Sequence, residues 1–182
     1  MQKVKRQLDL GCGNSPRKID GVNLCFGVDI NPPSNNKDIL YADLSKDPLP
    51  FGDDVFDFVT AYDFMEHIPS SIHIYDPDEE ITYIKHSMID LFNEIFRVLK
   101  HNGIFHMESP CYPSSDCFRD PQHVYVWTSE SIDYFSGDYY GFHDHYHHTS
   151  RFKKVKNHIE NGRLIAEIRA IKNLEDYEPY TN

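Results

Sequence analysis

No apolar run in this chain approaches the length needed to span a bilayer, and Met1-Gln2-Lys3-Val4-Lys5-Arg6 leads toward a candidate strand without a signal-peptide core. A cytoplasmic protein with no membrane partner is expected. Positive charge is also scarce: 18 Lys and Arg stand against 29 Asp and Glu, a formal net charge of −11. Broad contact with nucleic acid or an anionic surface relies on the opposite surplus, so the balance argues against both. Cysteine is sparse too. Cys12, Cys25, Cys111 and Cys117 form no CxxC pair, which leaves a disulfide framework and a local zinc motif without support and suggests reduced, structural thiols. The 182 residues read as one domain, 1–182, long enough to bury a core.

What is present begins with Leu8-Asp9-Leu10-Gly11-Cys12-Gly13-Asn14, followed by Gly27-Val28-Asp29-Ile30. A short apolar strand breaking into Gly-x-Gly lets the backbone turn sharply and lets a ligand lie against main chain. A second strand ending in Asp29 places a carboxylate beside the same crevice, where it can accept hydrogen bonds from ribose hydroxyls. The third glycine of a dinucleotide fingerprint is missing, because Pro16 stands three residues after Gly13. No Lys-Ser or Lys-Thr pair follows, so a phosphate-cradling P-loop is unsupported.

Strand candidates fall at 4 to 10, 25 to 30, 38 to 42, 55 to 61 and 104 to 109. Ile81, Ile84, Met88, Leu91, Ile95 and Leu99 recur at three- and four-residue steps, which predicts a helix over 78 to 100. Asp76 would cap it, Pro77 would take its first position, and Lys100-His101-Asn102-Gly103 would close it. A shorter helix is expected after Thr128, ending near Gly137. Asn161-Gly162, between Phe152 to Ile159 and Leu164 to Ile171, signals a hairpin. Alternating strands and helices imply a parallel sheet covered on both faces, with ligands at the carboxyl ends of its strands.

In this order the segments resemble the class I S-adenosylmethionine (SAM) dependent methyltransferases. Asp9 to Gly13 matches the first motif of that superfamily, Asp29 its ribose acid and Ala42-Asp43-Leu44 its adenine-side motif. Pro50 to Val59 resembles the approach to the fourth strand, Glu66-His67-Ile68 follows that strand, and Leu91 to Ile104 resembles the helix and turn before the fifth. The match runs from residue 5 to 109. It implies an α/β fold with a Rossmann-like doubly wound sheet, mostly parallel, of strand order 3-2-1-4-5-7-6 with strand 7 antiparallel. It implies SAM as methyl donor, held by Asp9, Gly11, Cys12, Gly13, Asn14, Asp29, Ile30, Asp43, Leu44, Tyr62 and Asp63. One departure is visible: between Gly13 and Asp29 there is room only for a stunted first helix, broken by Pro16, Asp20 and Gly21, so Arg17 or Lys18 is a candidate partner of the methionine carboxylate. Asn31-Pro32-Pro33-Ser34 looks like the motif that amino-methyltransferases use, but it follows the second strand and lacks an aromatic platform, so it reads as a rigid turn.

The acceptor is not legible; a small molecule is favoured by the acidic charge. Segments 68–80 and 111–150 are expected as insertions on its side. Asp120-Pro121-Gln122-His123 and Trp127-Thr128-Ser129 resemble a stretch after the fifth strand in a poorly characterised branch of these proteins. Asp63, Glu66, His67, Glu108 and His123 are candidate bases by position. His67 and His123 are the catalytic candidates, since imidazole ordinarily titrates near neutrality. The cluster His143-Asp144-His145-Tyr146-His147-His148 shows no helical HExxH spacing, and no metal is assigned. Two alternatives stand beside the methyltransferase reading: an inactive SAM-binding module, and a metal-dependent hydrolase built on that cluster.

Overall fold

A computed structural model describes residues 4–136 and 148–176. The chain alternates strands with connecting segments: β1 (Arg6–Leu10), β2 (Leu24–Asp29), β3 (Ile39–Tyr41) and β4 (Phe56–Tyr62), then β5 (Ile72–Asp76), β6 (Ile81–Lys85), helix α1 (Ser87–Val98), β7 (Leu99–Pro110), the single-turn α2 (Asp116–Arg119), β8 (Phe152–Glu160) and β9 (Arg163–Ala170). Seven strands form one sheet in the order β3-β2-β1-β4-β7-β9-β8. The pairs from β3 through β7 are parallel, and β9 runs antiparallel to both β7 and β8. With the separate β5–β6 hairpin set aside, this is the expected 3-2-1-4-5-7-6, a mostly parallel Rossmann-like α/β sheet whose seventh strand is antiparallel.

The expected helix over 78–100 is half hairpin. Asp76 does spend its side chain on backbone donors, accepting from the amides of Asp78 and Glu79 at 2.9 and 3.2 Å, but it closes a turn between β5 and β6. Glu80 completes that turn at φ 53°. Asp-Pro-Asp-Glu-Glu carries turn chemistry as well as helix-start chemistry, and the β-branched and aromatic residues Ile81, Thr82 and Tyr83 favour the extended form. Ile81 and Ile84 therefore matched the helical period by coincidence, and both are exposed. The true helix buries Met88, Leu91, Phe92, Ile95 and Val98 along one stripe. It stops at Val98, and Leu99 already belongs to β7. The helix expected after Thr128 is a single 3₁₀ turn, Ser131–Tyr134. The Asn161-Gly162 hairpin is as expected, with both residues at positive φ.

Leu8 and Leu10 of β1, Val59 and Ala61 of β4, and Phe105 and Met107 of β7 are fully buried in one apolar cluster with the α1 stripe. Phe92 anchors that layer, stacked on Phe135 at 3.6 Å between ring centres and edge-on to Phe105. The opposite side of β1 is different. Gln7 and Asp9 alternate with the leucines, yet they are buried too, at 0 % and 3 % exposure. They lie beneath the segment 14–20, which runs as an irregular loop.

That loop is held by side chains of the sheet. Gln7 Nε2 donates to the Arg17 carbonyl at 2.7 Å, and Gln7 Oε1 accepts from the Ile19 amide at 2.9 Å. Asp9 Oδ2 accepts from the Arg17 amide at 2.7 Å. Thr60 ties the two together, donating to Asp9 Oδ1 at 2.6 Å and accepting from Gln7 Nε2 at 2.8 Å. Burial pushes the Asp9 carboxyl above its ordinary range, against the lowering influence of Thr60 and Arg17. The folded state thus holds the Asp9 proton more tightly than the unfolded chain does, so its contribution to stability declines as pH rises from about 4 toward neutrality. Thr60→Val keeps the shape and leaves a buried carboxylate oxygen unpaired, which is expected to cost about 2 kcal/mol. Urea unfolding should show that deficit larger at pH 8 than at pH 5; a deficit independent of pH would remove Asp9 from the account.

Candidate functional site

At the carboxyl end of β1 the chain turns through Gly11 and Gly13, both left-handed at φ 61° and 58°. The Gly11 amide donates to the Val28 carbonyl at 2.9 Å, which locks the turn to β2. A methyl group at Gly11 would lie 2.1 Å from the ring of Phe64, so the glycine lets the loop after β4 press against the turn. In front of Gly13 there is open space. Asp29 stands beside it at the end of β2, Oδ2 accepting from the Gly13 amide and Oδ1 from the Asn31 amide, each at 2.8 Å. Each oxygen retains acceptor capacity for a further donor. Ile30, next along, is 52 % exposed.

Other expected donor contacts serve the frame. Asp9 is buried with both oxygens engaged by Thr60 and Arg17, so it shapes the turn from behind and does not reach the crevice. Cys12 packs over Gly27, where a methyl would come 2.3 Å from its sulfur. Burial, with Asp9 and Asp29 nearby, pushes the Cys12 thiol up to about 12. Asn14 is exposed at the rim. Asp43 Oδ1 caps its own turn, accepting from the Ser45 amide and hydroxyl at 3.2 and 2.6 Å. Burial works to raise this carboxyl, but the Ser45 bonds and the ion pair with Lys46 hold it below the ordinary range. Leu44 is in the core. Arg17 lies with its guanidinium 4.0 Å from the centre of the Tyr62 ring.

The acceptor-side candidates meet past the ends of β4 and β7. Met65–His67 forms a 3₁₀ turn directly after β4, and His123 arrives on the loop after α2. The amides of Val124 and Tyr125 both donate to the Glu66 carbonyl, at 2.9 and 3.0 Å, and staple the two segments together. His67 and His123 stand edge to face with ring centres 4.9 Å apart. Glu66, 1 % exposed, accepts from the Ser109 hydroxyl on Oε2 at 2.9 Å, while Oε1 accepts no hydrogen bond and faces His123 Nε2 at 3.9 Å. Burial pushes the Glu66 carboxyl up. A cleft of about 590 Å³ opens here, lined by Asp63, His67, Asp116, Arg119, His123 and Arg163.

Two further candidates already have side-chain partners. Asp63, at φ 50°, pairs with Arg163 at 2.7 Å on the cleft wall. Glu108 lies 3.3 Å from His106 Nε2. Neither Arg119, which pairs with Asp116, nor Arg163 lies in a motif of the sequence. Arg163 could have been found, because the Asn161-Gly162 hairpin makes it the first residue of β9, opposite Pro110 at the carboxyl end of β7. The histidine-rich cluster lies outside the described residues over 143–147; His148 is buried, with Nε2 2.7 Å from the Ser150 hydroxyl.

The profile of a methyltransferase domain family matches residues 8–107, more than half of the chain, from within β1 through most of β7. The chain belongs to this family of methyltransferase domains. Its fold is similar to that of a SAM-dependent methyltransferase from Methanosarcina mazei, at TM-score 0.53 and 16 % identity, covering 94 % of each chain. It is similar also to a Haloferax volcanii structure of the Trm112 methyltransferase activator in complex with a methyltransferase, at TM-score 0.55 and 15 % identity, covering 92 % of this chain and 84 % of that one. A phosphoethanolamine N-methyltransferase of Haemonchus contortus, solved with phosphoethanolamine and S-adenosylhomocysteine, matches at TM-score 0.59 and 11 % identity, covering 97 % of this chain and 41 % of that one. No curated protein sequence matches. No helix among the described residues is long and apolar enough to cross a membrane.

SAM is the methyl donor of this methyltransferase domain, and the turn fits it. The space before Gly13, the acid at Asp29 and the exposed Ile30 offer a backbone cradle, ribose acceptors and an apolar flank side by side. Cys12 in that turn should be a poor nucleophile, since at pH 8 a thiol pushed to about 12 is ionised in only about one molecule in ten thousand. Its alkylation by iodoacetamide, followed by peptide mapping, should therefore keep rising with pH through 10. A plateau near pH 9 would show an ordinary thiol.

Proposed function

We propose that this domain transfers a methyl group from SAM to a small polar acceptor seated in the cleft between Asp63, Arg163 and Arg119, with His67 and His123 facing the acceptor's reacting atom. The observation that carries this reading is adjacency. The donor turn ends β1, the histidine turn follows β4, and β1 and β4 are paired neighbours whose loops touch where Phe64 covers Gly11. The cleft volume falls within the roughly 300–1,000 Å³ of small-molecule sites, and its lining of carboxylates and guanidinium groups suits a polar acceptor.

Bound SAM supplies a methyl carbon already activated by its sulfonium. The chain's task is then to align the acceptor and to exclude water. His123 Nδ1 lies 3.0 Å from the Asp116 carbonyl, an acceptor only, so Nδ1 is the donor and the neutral ring presents a lone pair at Nε2. That lone pair can take the proton of an acceptor entering beside it. His67 is held in the same way, with Nδ1 3.2 Å from the Gln122 carbonyl. Arg163 and Asp63 hold each other at the cleft wall, where each can bind an oppositely charged group of the acceptor.

Calorimetry with SAM tests the donor half of this reading. The wild type should bind, and Asp29→Ala should weaken binding tenfold or more, as expected for loss of charged hydrogen bonds worth about 1.5–3 kcal/mol. A wild type that does not bind SAM would sink the proposal. For the acceptor half, transfer from labelled SAM to fractionated metabolites should fall about 100-fold or more in His123→Ala with SAM affinity unchanged. Transfer at the wild-type rate would remove His123 from the reaction.

A further inference from the structure

We propose that Glu66, His67 and His123 bind a divalent first-row metal ion of the zinc class, whose open positions face the cleft and take an oxygen of the acceptor. One ligand atom of each residue lies within 4.8 Å of the other two. Two imidazoles and a carboxylate are a donor set that suits such ions and leaves coordination positions free for water or substrate.

The surroundings of the three donors single them out. Metal-binding histidines characteristically donate one ring nitrogen to a carbonyl or carboxylate, which fixes the tautomer and aims the other nitrogen at the ion. Both histidines here do so through Nδ1, His67 toward the Gln122 carbonyl and His123 toward the Asp116 carbonyl, and both leave Nε2 as the lone-pair nitrogen. The carboxylate is prepared in the same way. Ser109 satisfies Oε2 of Glu66, while Oε1 is buried, accepts no hydrogen bond and points at His123 Nε2. A buried carboxylate oxygen without a donor is costly, and a cation between it and the two nitrogens would remove that cost.

The frame is rigid where it matters. Glu66 and His67 share one 3₁₀ turn, and the paired bonds from Val124 and Tyr125 to the Glu66 carbonyl set the loop bearing His123 against it. Metal bonds of about 2.0–2.1 Å place neighbouring tetrahedral ligands roughly 3.3 Å apart, so side-chain rotations of about 1 Å close the site. His67 and His123 both line the cleft, so the remaining positions open on the space proposed for the acceptor.

With the ion in place the Nε2 lone pair of His123 is a ligand and no longer takes the acceptor's proton; in its stead the ion acidifies an acceptor hydroxyl bound to it, as it does metal-bound water. The hydroxyl proton leaves to solvent through the open cleft. An oxygen lone pair then forms the new O–C bond while the C–S bond of the sulfonium breaks and its electron pair stays on sulfur, giving a methyl ether and the neutral thioether. The acceptor class is thus a hydroxylated small molecule, an assignment that rests on the methyl-transfer reading; the metal site rests on its own donors.

Chelator-treated protein titrated with Zn²⁺ alone in the calorimeter, and with Co²⁺ by visible absorption, tests the site directly. One ion per chain is expected, and Glu66→Gln and His123→Ala should each weaken binding tenfold or more and abolish the cobalt bands. A His145→Ala/His147→Ala double variant should bind as the wild type does, which separates this site from the histidine-rich segment. No binding by the wild type, or binding unchanged in Glu66→Gln and His123→Ala, overturns the proposal. Should circular dichroism show that those buried variants do not fold, His67→Ala at the more exposed member decides: tenfold weaker supports it, unchanged affinity overturns it. SAM affinity measured on the same samples reports on the donor site independently.

Discussion

The structure depends on how β1 covers its second face. A helix satisfies its own backbone, so a sheet face beneath one can be apolar; an irregular loop leaves amides and carbonyls bare, and these must find partners when buried. The loop over 14–20 meets that demand through Gln7, Asp9 and Thr60, three buried polar side chains that alternate with the leucines, valine and alanine of β1 and β4. Removing one of them strands the others in a low-dielectric interior, which is why a single hydroxyl at Thr60 matters to the whole arrangement.

The same bonds place the chemistry. Anchoring the Arg17 amide and carbonyl fixes where the chain leaves the glycine turn and brings the Arg17 guanidinium over Tyr62. The turn in turn fixes Asp29 through the Gly13 amide and meets Phe64, one residue past the pair Tyr62-Asp63 and two before Glu66. The glycine turn and the histidine-lined cleft are thus connected through main chain and one aromatic ring, across neighbouring strands of a single sheet.

The sheet's strands, the glycine turn and the last hairpin are legible because each is encoded locally: apolar strands bounded by turn residues, an acid one strand after Gly-x-Gly, and Asn161-Gly162 between two alternating runs; the order of the strands came only from the family resemblance. Over 78–100 the three-four spacing misleads because it spans two different elements. Pro77 and its acidic neighbours suit a turn as well as a helix start, and only the pairing of β5 with β6 decided between them. Asp9 belonged to the first motif by position, yet its role emerged only from where Thr60 and the Arg17 amide lie. Glu66 stood among several candidate bases, and nothing in its spacing set it apart.

The family is written in the order of the segments through 107, and with it SAM as methyl donor, because the glycines at 11 and 13 and the acid at 29 are local signals that need only strand adjacency to lie side by side. Only packing assembles the cleft past β4 and β7. His67 and His123 stand 56 positions apart in sequence, and Arg163 another 40 beyond, with no shared period to connect them. They converge because β4 and β7 are paired in parallel, so the segments following both strands emerge at one edge, while β9, running antiparallel, brings its first residue to the same end.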